Sequence, residues 1–124
     1  MNINIICVGK LKERYWSEAA AEYSKRLSRF CSLTVTEIKE TRLPDRASGA
    51  DERNVILEEG RHILKAVRTG DYVIALDVKG KAMTSESFAS SIDDMGVNRQ
   101  SSLAFIIGGS LGLSCDVLDR ADLR

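Results

Sequence analysis

The sequence predicts an α/β fold: a mainly parallel sheet with helices on both faces. Short apolar runs end abruptly at glycines or charged residues, as buried strands do. Stretches with helical spacing of apolar residues separate these runs, which gives the order β-α-β-α-β-α-β-α. Right-handed crossovers between parallel strands then distribute the helices over both faces. With 124 residues, 44% hydrophobic and 29% charged, we expect one domain spanning residues 1–124.

The first half of the chain predicts two strands and one helix. Residues 2–8 are β-branched and apolar, and Gly9 closes this strand. Residues 15–30 carry apolar side chains at helical spacing, which predicts an amphipathic helix laid on the sheet. Residues 33–38 mix apolar and polar side chains, so this strand is expected at an edge. Residues 39–50 contain the only proline and form a loop.

The second half predicts three helices and two strongly apolar strands. Asp51 can cap a helix running to about residue 67, in which Gly60 marks a weak or closely packed point. Residues 72–78 form the next strand, and Thr84 or Ser85 caps the helix after it. Residues 103–107 form the last strand, and Ser114 starts a helix over 114–121. We expect the three most apolar strands to be central, with 72–77 and 103–107 adjacent or nearly so.

The turn after the last strand is the first place to look for a functional site. Gly108 and Gly109 follow the apolar run directly. Paired glycines tolerate positive φ and place no Cβ in the way of a ligand. Because open α/β sheets bind ligands outside the carboxyl ends of their strands, we predict a binding site at this turn.

Other candidate residues allow competing interpretations. Residues 108–112 match G-x-S-x-G, but a hydrolase with Ser110 as nucleophile needs an acid and a histidine downstream, and the only histidine, His62, lies upstream. The spacing also differs from a dinucleotide-binding fingerprint. We interpret His62 as a solvated or locally hydrogen-bonded helix residue. Asp77, at the end of a buried strand, either forms a turn or meets a ligand.

Charge and cysteine content narrow the class of protein. Lys and Arg balance Asp and Glu at 18 each, which disfavours a general polyanion binder and leaves only local basic patches. Such a patch, a rim for phosphate contacts, is expected at the carboxyl edge of the sheet from Lys10, Lys12, Arg14, Lys79 and Lys81. The three cysteines lack metal-binding spacing, so we expect reduced thiols and no metal. The apolar N-terminus is too short for a signal peptide or a membrane span, which favours a cytoplasmic protein without membrane contact.

Several segments together resemble the RlmH family. They are ICVGKLKERYW (6–16), EYSKRL (22–27), EEGRHILK (58–65), VIALDVKGK (73–81) and FIIGGSLGLSCDVLDRAD (105–122). They occur in order along the whole chain. The paired blocks LD-x-x-GK and IGG-x-x-GLS are specific together, although each alone is a weak signal.

The resemblance implies a SPOUT-type fold and an enzyme that uses S-adenosyl-L-methionine to methylate N3 of a pseudouridine in 23S rRNA within the ribosome. By position, it makes Leu76 and Gly108 cofactor contacts, with Gly109 continuing the same turn, and it assigns no catalytic residue. It also implies a homodimer. Family members continue beyond the segment matching Asp122 into a knotted region, so we expect these 124 residues to be C-terminally incomplete and to lack the knot. The alternative is an inactive remnant or a ribosome-binding module without methyl transfer.

Overall fold

The computed structural model describes residues 1–98 and 100–124, and within them four parallel strands alternate with four helices. The elements are β1 (Asn2–Val8), α1 (Arg14–Leu27), β2 (Ser32–Ile38), α2 (Gly49–Ala66), β3 (Tyr72–Leu76), α3 (Ser85–Val97), β4 (Ser102–Ile107) and α4 (Cys115–Arg120). The strand order is β2-β1-β4-β3, and each neighbouring pair is parallel. The predicted fold class, the element order and the edge position of β2 are confirmed.

The two faces of the sheet carry separate apolar clusters. One cluster joins α2 and α4 to the sheet and consists of Ile6, Ile63, Val73, Ala104, Ile106 and Val117. The other joins α3 to the opposite face around Ile74, Leu103 and Phe105, with the partly buried Phe88, Ile92 and Met95. Helices therefore cover both faces, as a parallel sheet requires.

β3 forms an edge of the four-stranded sheet, although its apolar run predicted a central position. Its buried side chains stay covered because residues 121–124 lie along its outer side. Leu123 forms a parallel bridge with Ile74; its N–H donates to the Val73 carbonyl at 3.1 Å, and its carbonyl accepts from the Ala75 N–H at 2.8 Å. The prediction that the three most apolar strands are central is thus wrong for β3. Its predicted adjacency to β4 is confirmed.

Side-chain caps fix where three helices begin. The Ser48 hydroxyl accepts from the Asp51 N–H, and the Asp51 carboxylate accepts from the Ser48 N–H at 2.9 Å. This capping box starts α2 at residue 49, so the prediction of Asp51 as the cap itself is wrong by one turn. Thr84, one of the two predicted candidates, caps α3, and Ser114 caps α4 as predicted.

Helix α1 forms where it was predicted but leaves its apolar stripe open. Tyr15, Trp16 and Tyr23 are each more than half exposed, and no residue of α1 is buried. The helix ends at Leu27, before Phe30, and contacts the sheet along β2. The expectation that this stripe is laid on the sheet is therefore wrong. Its aromatic face remains available to another surface.

Candidate functional site

Two apolar side chains are exposed at the carboxyl ends of neighbouring strands. Leu76 of β3 and Ile107 of β4 are register partners, with exposed fractions of 51% and 41%. Because strand side chains alternate, Leu76 shares a face with Ile74, and Ile107 shares it with Phe105. This is the face that α3 covers. Helix α3 thus leaves this face open at the carboxyl ends of β3 and β4. Open α/β sheets bind ligands at this position.

A cavity of about 590 Å³ opens beside Leu76. The end of β3, the loop after it, the first turn of α3 and residues 123–124 form its walls. The apolar lining includes Ile74, Val78, Met83, Phe88 and Leu123, and the polar lining includes Asp77, Lys81 and Thr84. Its size lies within the range of roughly 300–1,000 Å³ that small-molecule sites occupy, and an apolar wall with a few polar groups is their usual composition.

Gly108 and Gly109 lie at the same edge of the sheet as Leu76. They follow β4 directly, and Gly108 is one residue beyond the partner of Leu76. The Gly112 N–H donates to the Gly109 carbonyl at 3.1 Å, which closes the turn 109–112. The left-handed backbone conformation occurs at Gly112, where φ is +89°, rather than at the paired glycines.

Close packing explains why neither paired glycine carries a side chain. A Cβ on Gly108 would lie 2.8 Å from Cδ2 of Leu113, and one on Gly109 would lie 3.0 Å from Oε1 of Glu59. The residues lining the Leu76 cavity include neither glycine. The missing Cβ atoms therefore allow close packing with these protein atoms, and the idea that they also leave room for a ligand stays a prediction. Contact between a ligand and the glycine backbone stays a prediction.

The predicted basic rim is exposed at the carboxyl edge. Lys10 follows β1 and Lys79 and Lys81 follow β3, so the parallel topology brings them to one end of the sheet. Lys12 is also exposed, whereas Arg14 forms an ion pair with Glu18 at 2.8 Å. All five cations are exposed, Arg14 within a surface ion pair, and a role in phosphate contact stays a prediction for them.

The remaining candidates have local roles. His62 is exposed on α2, with Nε2 3.2 Å from Oε1 of Glu58, which agrees with a locally bonded histidine. The Asp77 carbonyl accepts from the Gly80 N–H at 2.9 Å, so it forms a turn, and Asp77 also lines the Leu76 cavity. Ser110 is exposed in the turn 109–112.

Two residues of this edge were not singled out from the sequence. Ile107 ends an apolar run, and only its register with Leu76 shows that the two are exposed together. Glu59 is 4% exposed, and its Oε2 accepts from the Thr41 N–H at 3.1 Å. Its sequence signal is its place in the buried stripe of α2, four residues from both Val55 and Ile63.

Burial raises the pKa of the Glu59 carboxyl. The hydrogen bond from Thr41 lowers that pKa and the neighbouring Glu40 raises it, and the net shift is upward. Desolvation disfavours the charged form of a carboxyl, so this group holds its proton to higher pH than an exposed glutamate.

Across residues 1–98 and 100–124, no helix has the length and hydropathy needed to cross a membrane. In that same part of the chain, no three His, Cys, Asp or Glu side chains group closely enough to hold a metal ion. Cys7, Cys31 and Cys115 are free thiols.

The chain is similar to known proteins over its whole length. The family described as "Predicted SPOUT methyltransferase" matches residues 1–124. Relatives from Clostridium kluyveri, Clostridium novyi and Alkaliphilus oremlandii, each named "Ribosomal RNA large subunit methyltransferase H", are 49%, 52% and 52% identical to it. Each alignment covers 100% of this chain and 78% of the relative. The chain therefore belongs to the RlmH family of SPOUT methyltransferases.

Proposed function

We propose that this protein uses S-adenosyl-L-methionine to methylate N3 of a pseudouridine in 23S rRNA, with the ribosome in the cytoplasm as its substrate. The observation that carries the donor site is the exposed register pair Leu76 and Ile107 at the carboxyl edge. The names of the relatives, which specify ribosomal RNA of the large subunit, support the class of acceptor.

The residues at this edge fit an adenosine-containing donor. Leu76 and Ile107 offer an apolar wall, and Gly108 places backbone polar groups one residue beyond it. S-adenosyl-L-methionine, when bound, supplies a methyl group that is already activated. The contribution of the chain is to bind the donor and orient it toward the acceptor, with Leu76, Gly108 and Gly109 as the proposed contacts.

The acceptor side rests on local positive charge. Because the chain has equal numbers of acidic and basic residues, RNA must be attracted by a patch rather than by the whole molecule. Lys10, Lys12, Lys79 and Lys81 are exposed and supply that patch. Phosphate contacts of this kind fix the position of an RNA and carry no sequence information themselves, so the lysines would dock the ribosome without selecting the base.

We also propose that the protein acts as a homodimer. The exposed aromatic face of α1, formed by Tyr15, Trp16 and Tyr23, supports this proposal. Large apolar side chains grouped on one exposed helix face mark interaction surfaces in soluble proteins, and a second copy of the chain would cover them.

Methyl incorporation into purified ribosomes tests the proposed activity. Leu76→Ala should lower kcat/KM for the donor by roughly five- to tenfold, because the donor loses about 1 kcal/mol of apolar contact with a half-exposed leucine. The variant should still fold, since Leu76 is 51% exposed and its truncation removes less buried surface than a core substitution would.

Leu57→Ala is the matched control, because Leu57 on α2 is 50% exposed and lies outside the Leu76 cavity. Its kcat/KM should equal that of the parent protein. Equal losses in both variants would contradict the donor site. Cosedimentation with ribosomes without any methyl incorporation would favour the alternative of a binding module.

A further inference from the structure

A second cavity, of about 400 Å³, lies on the α2 side of the glycine turn. Residues 40–43 of the loop after β2 form one wall, and Ser110 and Leu111 of the turn form another. Helix α2 contributes Val55 and Glu59. Two segments without regular secondary structure therefore meet at one buried carboxyl.

Glu59 lies between these two segments. Its Oε2 accepts a hydrogen bond from the Thr41 N–H at 3.1 Å, which fixes the loop 39–48. Its Oε1 lies so close to Gly109 that a Cβ on this glycine would sit 3.0 Å away. A side chain at position 109 would require either the Glu59 carboxyl or the turn to shift. The absence of a side chain at Gly109 thus allows the turn to approach the Glu59 carboxyl closely.

Burying this carboxyl costs free energy that the hydrogen bond from the Thr41 N–H offsets only in part, because the net pKa shift is still upward. Glu59 is 4% exposed, and within residues 1–98 and 100–124 no Lys, Arg or His side chain forms an ion pair with it. A leucine in the same stripe of α2 would pack without that cost. Stability alone therefore does not explain why an ionisable residue is buried here. Such a residue is a candidate for a functional role.

We propose that Glu59 is a positioning residue that ties the loop 39–48 to the turn 109–112. Its carboxyl sets the distance between these two segments and thereby the position of the Gly109 backbone. The consequence for methyl transfer rests on the proposed donor site, of which Gly109 is a part. The proposed connection between the loop 39–48 and the turn 109–112 does not depend on the donor site.

Limited trypsin digestion tests the connection without any ligand. Arg42 and Arg46 are exposed cleavage sites within the loop. Glu59→Ala removes the acceptor for the Thr41 N–H, so cleavage after these arginines should accelerate about tenfold, the equivalent of one hydrogen bond to a charged group. Glu59→Gln keeps an oxygen acceptor and should be cleaved at nearly the parent rate. Glu58→Gln, a change to the exposed neighbouring glutamate, is the matched control.

The donor kinetics test the functional consequence. Glu59→Ala should raise KM for S-adenosyl-L-methionine more than it lowers kcat, and Glu59→Gln should restore KM. Faster loop cleavage with an unchanged KM would keep the connection but overturn its role in the donor site.

Unchanged loop cleavage in Glu59→Ala would overturn the connection itself. So would an equal acceleration of cleavage after Lys25 and Arg26 in α1, because that result indicates general destabilisation. If Glu59→Ala does not fold, Thr41→Pro removes the N–H donor and leaves Glu59 in place, although its ring also fixes φ at position 41. It should release the loop in the same way, and a parent-like digestion of this variant would also overturn the connection.

Discussion

Helices α2 and α3 cover opposite faces of one sheet, but they bury very different surfaces. α2 has four buried residues, Val55, Glu59, Gly60 and Ile63. None of the residues of α3 is buried, and Phe88, Ile92 and Met95 are only partly covered. The α2 face is the more fully buried of the two and supports folding. The α3 face leaves apolar strand ends open, which is the surface that a ligand can use.

The largest expected effect on stability is the difference between two Ile→Ala substitutions, one on each face of the sheet. Ile63→Ala should destabilise the protein by about 3 kcal/mol, because Ile63 is 1% exposed and its removal leaves a cavity. Ile92→Ala should cost about 1 kcal/mol, because partly covered atoms lose less. Urea denaturation of both variants measures the difference. Equal losses would mean that the two faces are packed alike.

One glycine in each helix tests the same difference in packing between the α2 and α3 faces. A Cβ on Gly60 of α2 would lie 2.4 Å from the Ser114 hydroxyl oxygen, so Gly60→Ala should destabilise by about 1 to 2 kcal/mol despite the better helix propensity of alanine. Among the residues that the structure describes, a Cβ on Gly96 of α3 would meet only the flexible end of Met1, at 3.3 Å. Gly96→Ala should therefore stabilise by up to about 1 kcal/mol. Thermal unfolding that gives the same sign for both variants would contradict this difference in packing.

Hydrophobic periodicity predicted each described helix and strand, because an apolar stripe or run depends only on residues that are close in sequence. It also marked Gly60 as a closely packed point. It did not predict that β3 lies at an edge, because its cover comes from the short segment 121–124, which has no strand pattern of its own. It did not predict the exposure of α1 either, since a stripe identifies an apolar face but not what covers it.

The candidate site was predicted in part. The resemblance pointed to Leu76 and Gly108, and the parallel topology brings both to one edge. Ile107 required the register of β3 and β4. The role of Glu59 could be recognised only from the three-dimensional structure, because its neighbours Thr41 and Gly109 are distant from it in sequence.

The smallest expected effect on stability concerns the pH dependence of the α2 face. Burial raises the pKa of Glu59 above its ordinary value of 4.5, and Glu40 and Arg42 are the charged groups that share its cavity. The folded state therefore binds this proton more tightly than the unfolded state. The stability that this gives is present below pH 4.5 and is lost as the pH rises through the folded pKa.

Glu59→Gln lacks this titration, so the free energy of unfolding of the variant should rise relative to the parent between about pH 4.5 and neutral pH. Urea denaturation at several pH values measures both proteins, and Glu58→Gln serves as the control. Parallel pH profiles for Glu59→Gln and the parent would show that the Glu59 pKa is the same in both states.

We propose that the open end of the α3 face binds the methyl donor. Titration of ¹⁵N-labelled protein with S-adenosyl-L-methionine, followed by amide chemical shifts, tests it most directly because weak binding is also detected. We predict saturable shifts at Leu76, Ile107, Gly108 and Gly109, and unchanged amides at Ile63, inside the α2 face. Shifts confined to the α2 face, or no saturable shift at the four carboxyl-edge residues, would contradict the claim.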